Sequence, residues 1–204
     1  MFENPTYNKY ENMSDLELVQ LSLENKENFC YLIKRYELKI FRYIRRLTNV
    51  SQEESEDILQ DIFIKLYRNL NGFNQNLKFS SWIYRIAHNE IINHYHKNKS
   101  RSNMFSLNLD NNDIYNLDEF ISDADDIYNH LISHENADKI REVLSKLPKK
   151  YSEILILRYL EEKKYDEISD ILCKPLGTVA TLINRAKSKF KKIAKRQNLM
   201  VNYD

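Results

Sequence analysis

Glycine and proline are scarce in this chain. Its 204 residues include two glycines, Gly72 and Gly177, and three prolines. Phosphate-binding loops of the GxGxxG and P-loop types need several glycines close together, so the sequence excludes both. Hairpin turns also favour glycine, so the scarcity of glycine disfavours β-rich folds. With 42% hydrophobic and 30% charged residues, the composition predicts a soluble, folded, all-α protein.

Cysteines and long apolar runs are equally sparse. Cys30 and Cys173 lie far apart in sequence and form no metal-ligand pair, so we interpret both as reduced residues of a cytoplasmic protein. No run of about eighteen apolar residues occurs, so we expect no membrane insertion. The N-terminus lacks the basic start and the apolar stretch of a secretory signal.

The formal net charge of +1 conceals an uneven distribution. Residues 1–29 carry a net charge of −4 and residues 30–101 one of +6, whereas residues 102–138 carry −9 without one basic side chain. Residues 139–204 carry +8. Two basic blocks around an acidic one predict two domains that face a polyanion, joined by an acidic flexible linker. A solvated basic helix is the alternative interpretation of the last block.

Apolar periodicity predicts a bundle of helices in the first part of the chain. Ser-x-x-Glu capping boxes at residues 14–17 and 51–54 open a short helix and a long one. Apolar residues at steps of three and four mark another helix over 29–47, and a further one over 82 to about 99. Short turns between these helices predict one compact domain over residues 10–100.

A second helical domain is predicted at the C-terminal end. Residues 101–135 show little periodicity and are predicted to be the linker, with one marginal helix around Tyr128–His134. Periodicity resumes over residues 136–198. There a short helix from 165 to 172, a tight turn at 173–175 and a longer basic helix follow one another, which is the helix-turn-helix arrangement.

Two of the predicted helices carry side chains suited to nucleic acid. The outward face of the last helix holds small and amide residues that can approach base edges, and a helical hairpin used only for protein contact is the alternative. The helix after residue 79 interleaves aromatic, amide and basic residues, which suit unpaired bases. Residues such as Phe79 and Trp82 are more often core anchors than base contacts, so the amides Asn89 and Asn93 carry more of the functional signal.

These segments resemble bacterial RNA polymerase sigma factors of the sigma-70 family, in particular the two-domain extracytoplasmic-function type. Residues 57–68, DILQDIFIKLYR, resemble the core-binding helix of the family's second region. Residues 79–89, FSSWIYRIAHN, resemble the segment that reads the −10 promoter element. Residues 147–160, 165–168 and 177–187 resemble the fourth region, which reads the −35 element.

The resemblance implies a factor without a catalytic site, cofactor or metal that binds core RNA polymerase, directs it to promoters and helps to melt them. Its implied partners are the clamp coiled coil and the flap of polymerase, promoter DNA, and an anti-sigma factor. The acidic linker is implied to thread toward the RNA exit path.

The resemblance also implies three groups of site residues. The core-polymerase group is Asp57, Gln60, Asp61 and Lys65. The group for the −10 strand, where one or more bases are flipped out, is Phe79, Trp82, Asn89, Asn93, His96 and Lys97. The group for the −35 duplex is Thr178, Ala180, Thr181, Asn184, Arg185 and Lys187.

Three features depart from the family's pattern. Apolar Ala180 and Leu182 stand where a basic pair is usual, which predicts an unusual or weak −35 preference. Cys173 replaces a turn glycine and Pro175 replaces a capping serine, although Pro175 can serve as the first helical residue. Ile83 stands where principal sigma factors have an extra aromatic, which predicts a stringent set of promoters.

Two other classes of function fit parts of the sequence. A stand-alone helix-turn-helix regulator would bind duplex DNA itself, but the clamp-type helix and the acidic linker argue against it. An enzyme would need His94-x-His96 or His130-x-x-x-His134, of which the second has metal-like spacing. No acid or cysteine completes either site, so surface or DNA-facing histidines are the favoured interpretation.

Overall fold

This computed structural model describes residues 10, 12–48, 50–101 and 137–196, without the side chains of 98–101 and 137–139. This part of the chain contains eight α-helices. No strand occurs among these residues, which confirms the predicted all-α fold. The helices in chain order are α1 (Asp15–Glu24), α2 (Phe29–Leu47), α3 (Gln52–Asn69), α4 (Phe79–Arg101), α5 (Ala137–Ser145), α6 (Lys149–Leu155), α7 (Tyr165–Leu172) and α8 (Leu176–Arg196).

The described residues fall into two compact units, one within residues 1–97 together with 166–173 and the other within residues 98–165 together with 174–204. The first contains nearly all of α1–α4 together with α7, and the second contains α5, α6 and α8. The sequence assigns α7 to its second domain, and the predicted domain boundaries stay a prediction. The predicted linker, 101–135, lies outside the described residues apart from its first residue, and so does the marginal helix within it.

Both predicted capping boxes are present. The Ser14 hydroxyl accepts the backbone N–H of Glu17 at 3.3 Å, and the Glu17 carboxylate accepts the backbone N–H of Ser14 at 2.6 Å. The same reciprocal bonds join Ser51 and Glu54, both at 3.1 Å. These bonds satisfy N–H groups that the helix leaves open and fix where α1 and α3 begin. Bonds from the Ser14 hydroxyl and N–H also lower the pKa of Glu17.

One apolar stripe from each of α2, α3 and α4 forms the core of the first unit. Nine aliphatic side chains of these three helices are at most 2% exposed: Leu32, Ile40, Ile44, Ile58, Ile62, Leu66, Ile83, Ala87 and Ile91. Burying each leucine or isoleucine contributes about 1.5–3 kcal/mol relative to leaving it exposed. These stripes determine which face of each helix points outward.

Asp15 attaches α1 to α2. Its carboxylate accepts hydrogen bonds from Nη1 of Arg35 at 2.9 Å and from the hydroxyl of Tyr36. Arg35 also donates to the carbonyl oxygen of Tyr10 at 2.9 Å, and the Tyr10 ring stacks on Tyr31 at 3.7 Å. Burial and the bond to Asp15 raise the pKa of Tyr36.

Helices α6 and α8 pack together in the second unit. Buried side chains of this unit include Val143, Leu147, Ile154, Leu157, Val179, Ile183, Ala186 and Phe190. Tyr151 of α6 is also buried, and its ring has the ammonium of Lys150 at 5.2 Å and that of Lys189 at 5.3 Å. The Lys189 contact is a cation–π interaction that joins α8 to α6.

The helical segment from Lys149 to Leu160 changes its pitch halfway. Its α-helical part ends at Leu155 and continues as a π-helical turn, in which the N–H of Glu161 donates to the carbonyl oxygen of Ile156 at 2.9 Å. A π turn holds more residues than an α turn and therefore rotates the side chains that follow it. Leu160 is the last residue of this turn and is only half-buried.

Glu153 of α6 is a shielded carboxyl. Burial raises its pKa to about 7, and the nearby Lys149 and Lys174 oppose this rise without cancelling it. Burial also lowers the pKa of Lys149. The second unit therefore contains a carboxyl that changes its charge close to neutral pH.

The turn before α8 holds a strained residue. Cys173 has a φ of 51°, in the left-handed region where a side chain costs about 1–2 kcal/mol and glycine is unstrained. This is the position where the resembled family has glycine. Pro175 is not the first helical residue, because its carbonyl oxygen accepts the first helical bond, from the N–H of Val179 at 3.1 Å, and α8 begins at Leu176.

The same substitution at the two cysteines should have opposite effects. Cys173→Gly relieves the left-handed strain and should raise the free energy of unfolding by about 0.5–1 kcal/mol, since glycine's greater flexibility offsets part of the gain. Cys30→Gly, inside α2, should lower it by about 0.5–1 kcal/mol. Denaturant titration followed by circular dichroism measures both, and destabilisation by Cys173→Gly would contradict the strained turn.

Replacing Glu153 should change how stability depends on pH. Because its pKa is about 7 in the folded chain and 4.5 ordinarily, the folded state holds more protons between these values. The wild type therefore loses stability as pH rises through this window. Glu153→Gln should remove this loss of stability. At pH 8 its free energy of unfolding should then exceed that of the wild type by about 1–3 kcal/mol.

Thermal unfolding at pH 5 and pH 8 measures this effect. Glu142→Gln, at an exposed carboxylate of α5, is the matched control. It should leave the difference in melting temperature between pH 5 and pH 8 the same as in the wild type. Equal pH dependence of the wild type and Glu153→Gln would contradict a shielded carboxyl.

Candidate nucleic-acid and protein interfaces

The outward face of α3 holds the residues predicted to bind core polymerase. All four are exposed, and they are Asp57, Gln60, Asp61 and Lys65. At 100° per residue, Asp57 and Asp61 lie at the centre of this face, opposite the buried Leu66. Lys65 lies on its flank, next in angle to the buried Ile58. The exposure agrees with the sequence, and the polymerase contact stays a prediction.

Two apolar residues extend this face, and the sequence prediction missed them. Ile64 is 42% exposed and Tyr67 is 39% exposed. The Tyr67 ring contacts Phe29 edge-on, with centroids 5.1 Å apart. Ile64 falls outside the stripe of inward residues, which is the signal that could have identified it. An exposed apolar pair beside carboxylates is typical of a protein-binding surface.

One residue of the α3 face is bonded to α4. Nζ of Lys65 lies 2.6 Å from Oε2 of Glu90, which is 25 residues further along the chain. The Lys65 side chain is 47% exposed, whereas that of Glu90 is only 14% exposed. The pair therefore joins the predicted polymerase-binding helix to the predicted −10 helix.

The first turn of α4 lies in an aromatic cluster. Phe79 and Trp82 are 2% and 8% exposed, and their ring centroids are 5.7 Å apart. Phe73 contacts both rings, at 5.4 Å and 5.0 Å, and Tyr36 contacts Phe79 at 5.5 Å. The two residues are thus core anchors, which is the interpretation that the sequence favoured. Base contact by these rings stays a prediction.

The outward face of α4 carries the rest of the predicted −10 group. Its four members are exposed, namely Asn89, Asn93, His96 and Lys97. Their spacing of four, three and one positions keeps them on one side of the helix. Tyr84 and His88, which belong to the same interleaved run, are buried instead, and the Tyr84 ring packs against Tyr43 at 5.1 Å.

Tyr95 was not assigned to the −10 group from the sequence. Its side chain is 44% exposed, and its ring contacts His96 edge-on at 6.1 Å. The other Phe, Trp and Tyr side chains described on α4, which are Phe79, Trp82 and Tyr84, are buried. Its position beside His96 adds a stacking surface to this face.

Most of the predicted −35 group lies on the accessible side of α8. Thr178 and Asn184 are exposed, and Ala180, Thr181 and Arg185 are half-buried. The Thr181 hydroxyl donates to the carbonyl oxygen of Gly177 at 2.9 Å. With its hydrogen used in this bond, the Thr181 hydroxyl can only accept a hydrogen bond from a base edge. The Asn184 amide, in contrast, offers both a donor and an acceptor.

Lys187 requires a correction. The sequence placed it among the DNA-facing residues, but its side chain is 5% exposed. It follows Val179 by eight positions and Ile183 by four, so helical periodicity puts it on the stripe that packs inward. Positive charge at the accessible end of α8 is provided instead by Lys192, Lys195 and Arg196, which are exposed.

The histidines form no ligand cluster in the part of the chain that the structure describes. No group of three His, Cys, Asp or Glu side chains that could hold a metal ion occurs there. His94 and His96 are within this part, and the pair His130 and His134 lies outside it. Within the same residues, no helix has the length and apolar character that crossing a bilayer requires.

Two family models match the chain in order. The model described as Sigma-70 region 2 matches residues 32–101, which hold most of α2 together with α3 and α4. The model described as Sigma-70, region 4 matches residues 137–190, which include α5–α7 and most of α8. The polar faces of α3 and α4 and the predicted −35 group on α8 lie within these matches, whereas the basic end of α8 extends beyond residue 190.

Curated relatives cover nearly the whole chain. The ECF RNA polymerase sigma factor SigW of Bacillus subtilis is 32% identical over 174 residues, which is 85% of this chain and 92% of that protein. The ECF RNA polymerase sigma-E factor of Haemophilus influenzae is 29% identical over 178 residues, covering 87% and 93%.

Solved structures share the fold. CnrH in complex with the cytosolic domain of CnrY has a TM-score of 0.63 at 18% identity, covering 89% of this chain and 97% of that one. The sigma factor RpoE from Bartonella quintana, in complex with the anti-sigma factor NepR, has a TM-score of 0.60 at 17% identity, covering 83% and 98%. With both regions matched in order and a relative aligned over almost its full length, this chain belongs to the sigma-70 family, in its extracytoplasmic-function group.

Proposed function

We propose that this protein binds core RNA polymerase, directs it to specific promoters through the −10 and −35 elements and helps to melt the promoter. The observation that carries the proposal is that three polar faces, on α3, α4 and α8, stay exposed on helices within the two matched regions. Each face has chemistry suited to one of the three tasks.

Docking on polymerase is assigned to α3. Asp57 and Asp61 present carboxylates at the centre of the exposed face, and Gln60 adds an amide beside them. Ile64 supplies apolar surface at the same place. Such a combination of desolvated apolar contact with surrounding charge is typical of specific protein interfaces. We assign the clamp coiled coil to this face.

Binding of the −10 strand is assigned to α4. Asn89 and Asn93 each offer a donor and an acceptor, the pair of groups that recognises the edge of an unpaired base. His96 and Tyr95 add rings for stacking, and Lys97 adds a charge for the backbone. Extruding a base costs a few kcal/mol, which these contacts must offset.

Reading of the −35 duplex is assigned to α8. Asn184 and Thr178 are the exposed polar side chains near its start, while Ala180 and Leu182 offer no donor to a base. The basic end beyond them contacts phosphate, which increases affinity without selecting a sequence. A weak −35 preference with a strong dependence on salt follows.

The remaining assignments concern partners and place of action. Phosphodiester chemistry belongs to polymerase, and we assign this chain no catalytic residue, cofactor or metal. The flap is the second polymerase contact. Since a structure of similar fold holds an anti-sigma factor, we propose one for this chain as well. Its place of action is the cytoplasm, where promoter DNA and polymerase are found.

Transcription from a pool of random promoters tests the function. Core polymerase from the source organism, with and without this protein, should give promoter-specific transcripts only when the protein is added. The recovered sequences should then share a −10 element and a weaker −35 element. Active core polymerase that neither binds the protein nor initiates with it would overturn the proposal, and duplex binding without polymerase would indicate a stand-alone regulator.

Two asparagine substitutions should each affect one promoter element. Asn89→Ala should weaken sequence selection at −10 and leave −35 selection intact, because its amide faces the opened strand. Asn184→Ala should do the reverse. Each lost base contact should reduce discrimination at one position by about 1–3 kcal/mol. Sequencing transcripts from the same promoter pool measures both, and each variant is the control for the other.

Carboxylates on α3 should differ in their effect on polymerase binding. Asp61→Ala should weaken binding to core polymerase about ten-fold, since it removes a charge from the centre of the docking face. Glu53→Ala removes an exposed carboxylate near the start of the same helix and should change binding by less than about two-fold. Fluorescence titration with core polymerase measures both, and equal losses would place the docking face elsewhere.

A further inference from the structure

The ion pair between Lys65 and Glu90 sets Lys65 apart from the other three polar residues of its face. Its Nζ lies 2.6 Å from Oε2 of Glu90, a short charge-assisted contact. Lys65 is on the flank of α3, whereas Asp57 and Asp61 lie at the centre of the exposed face. Its ammonium is therefore directed at α4, away from a partner that docks on that centre.

Glu90 is exceptional in the charge pattern of the sequence. No other acidic residue occurs between Asp61 and Asp110, while this stretch contains seven lysines and arginines. Glu90 directly follows Asn89 and precedes Asn93 by three positions, so it borders the face assigned to the −10 strand. An unneutralised carboxylate at this position would repel the phosphates of a bound strand.

The low exposure of Glu90 increases this effect. Its side chain is 14% exposed, so water screens its charge less than at an open surface. Lys65 supplies the compensating charge from another helix, and the bond also restrains the rotation of α4 at the level of Asn89. Charge compensation and restraint of α4 both act on the face of α4 that is assigned to the −10 strand.

We propose that Lys65 is a positioning residue for binding of the −10 strand, which neutralises and orients Glu90, and not a polymerase contact. The inference rests on the proposed function and reassigns one residue that the family resemblance placed in the polymerase group. It gives different tasks to Asp61 and Lys65, which lie one turn apart on α3.

Four variants test the assignment in the full-length chain. Lys65→Ala leaves Glu90 uncompensated, and Lys65→Arg keeps the positive charge. The double variant Lys65→Ala/Glu90→Gln removes both charges and restores the wild-type net charge. Arg68→Ala is the matched control, because it removes a positive charge from an exposed position on the same helix while leaving the pair intact.

Two affinities are measured for each variant. One is the affinity of the chain for core polymerase. The other is the affinity of the assembled holoenzyme for a single-stranded oligonucleotide that carries the non-template −10 sequence recovered from the promoter pool. Lys65→Ala should weaken oligonucleotide binding about five-fold, and the double variant should restore it to within about two-fold. Core affinity should stay within about two-fold in the three Lys65 variants. Arg68→Ala, which lies on the same side of α3 as Asp57 and Asp61, is compared for oligonucleotide binding alone.

The outcomes distinguish this inference from the function on which it rests. If the wild type fails to bind core polymerase, the proposed function fails and this inference fails with it. If the wild type is active but Lys65→Ala loses core affinity as strongly as Asp61→Ala, Lys65 is a docking residue and only the inference is overturned. The inference alone is also overturned if Glu90→Gln gives no rescue, or if Arg68→Ala weakens oligonucleotide binding as much as Lys65→Ala does.

Discussion

The outward faces of α3 and α4 depend on the burial of one apolar stripe on each of α2, α3 and α4. Isoleucine and leucine side chains such as Ile40, Ile62 and Ile83 are completely inaccessible to water, so none of the three helices can rotate about its axis without exposing them. Once this rotation is fixed, helical geometry places every polar residue. Asp57 and Asn89 point outward because the residues on the opposite sides of their helices are buried.

The same constraint explains why aromatic residues and amides of the −10 segment have different positions. Phe79 and Trp82 belong to the cluster with Phe73 that closes the core at the start of α4. Asn89 and Asn93 follow two to four turns later on the free side of the helix. A rigid aromatic base with an exposed amide face beyond it suits precise placement of bases, because the anchor limits movement of the reading residues.

Sequence reasoning succeeded where local rules dominate. Both capping boxes and the bounds of α2 follow from neighbouring residues, and so does the exposure of the acidic face of α3. It was less accurate where residues distant in sequence interact or the helical pitch changes. Lys187 looked like one of many surface lysines, but its packing position buries it. Leu160 ends a π-helical turn, and apolar spacing does not predict such a change of pitch.

The sequence specifies the all-α class, the order of the helices and the membership of the family, because periodicity and motifs depend on nearby residues. It also located the strained turn, where Cys173 stands in the place of a glycine. The pairing of Lys65 with Glu90 and the raised pKa of Glu153 become apparent only in the folded chain. Ion pairing across helices and loss of hydration depend on distances between residues that the chain brings together by folding, and no local pattern specifies these distances.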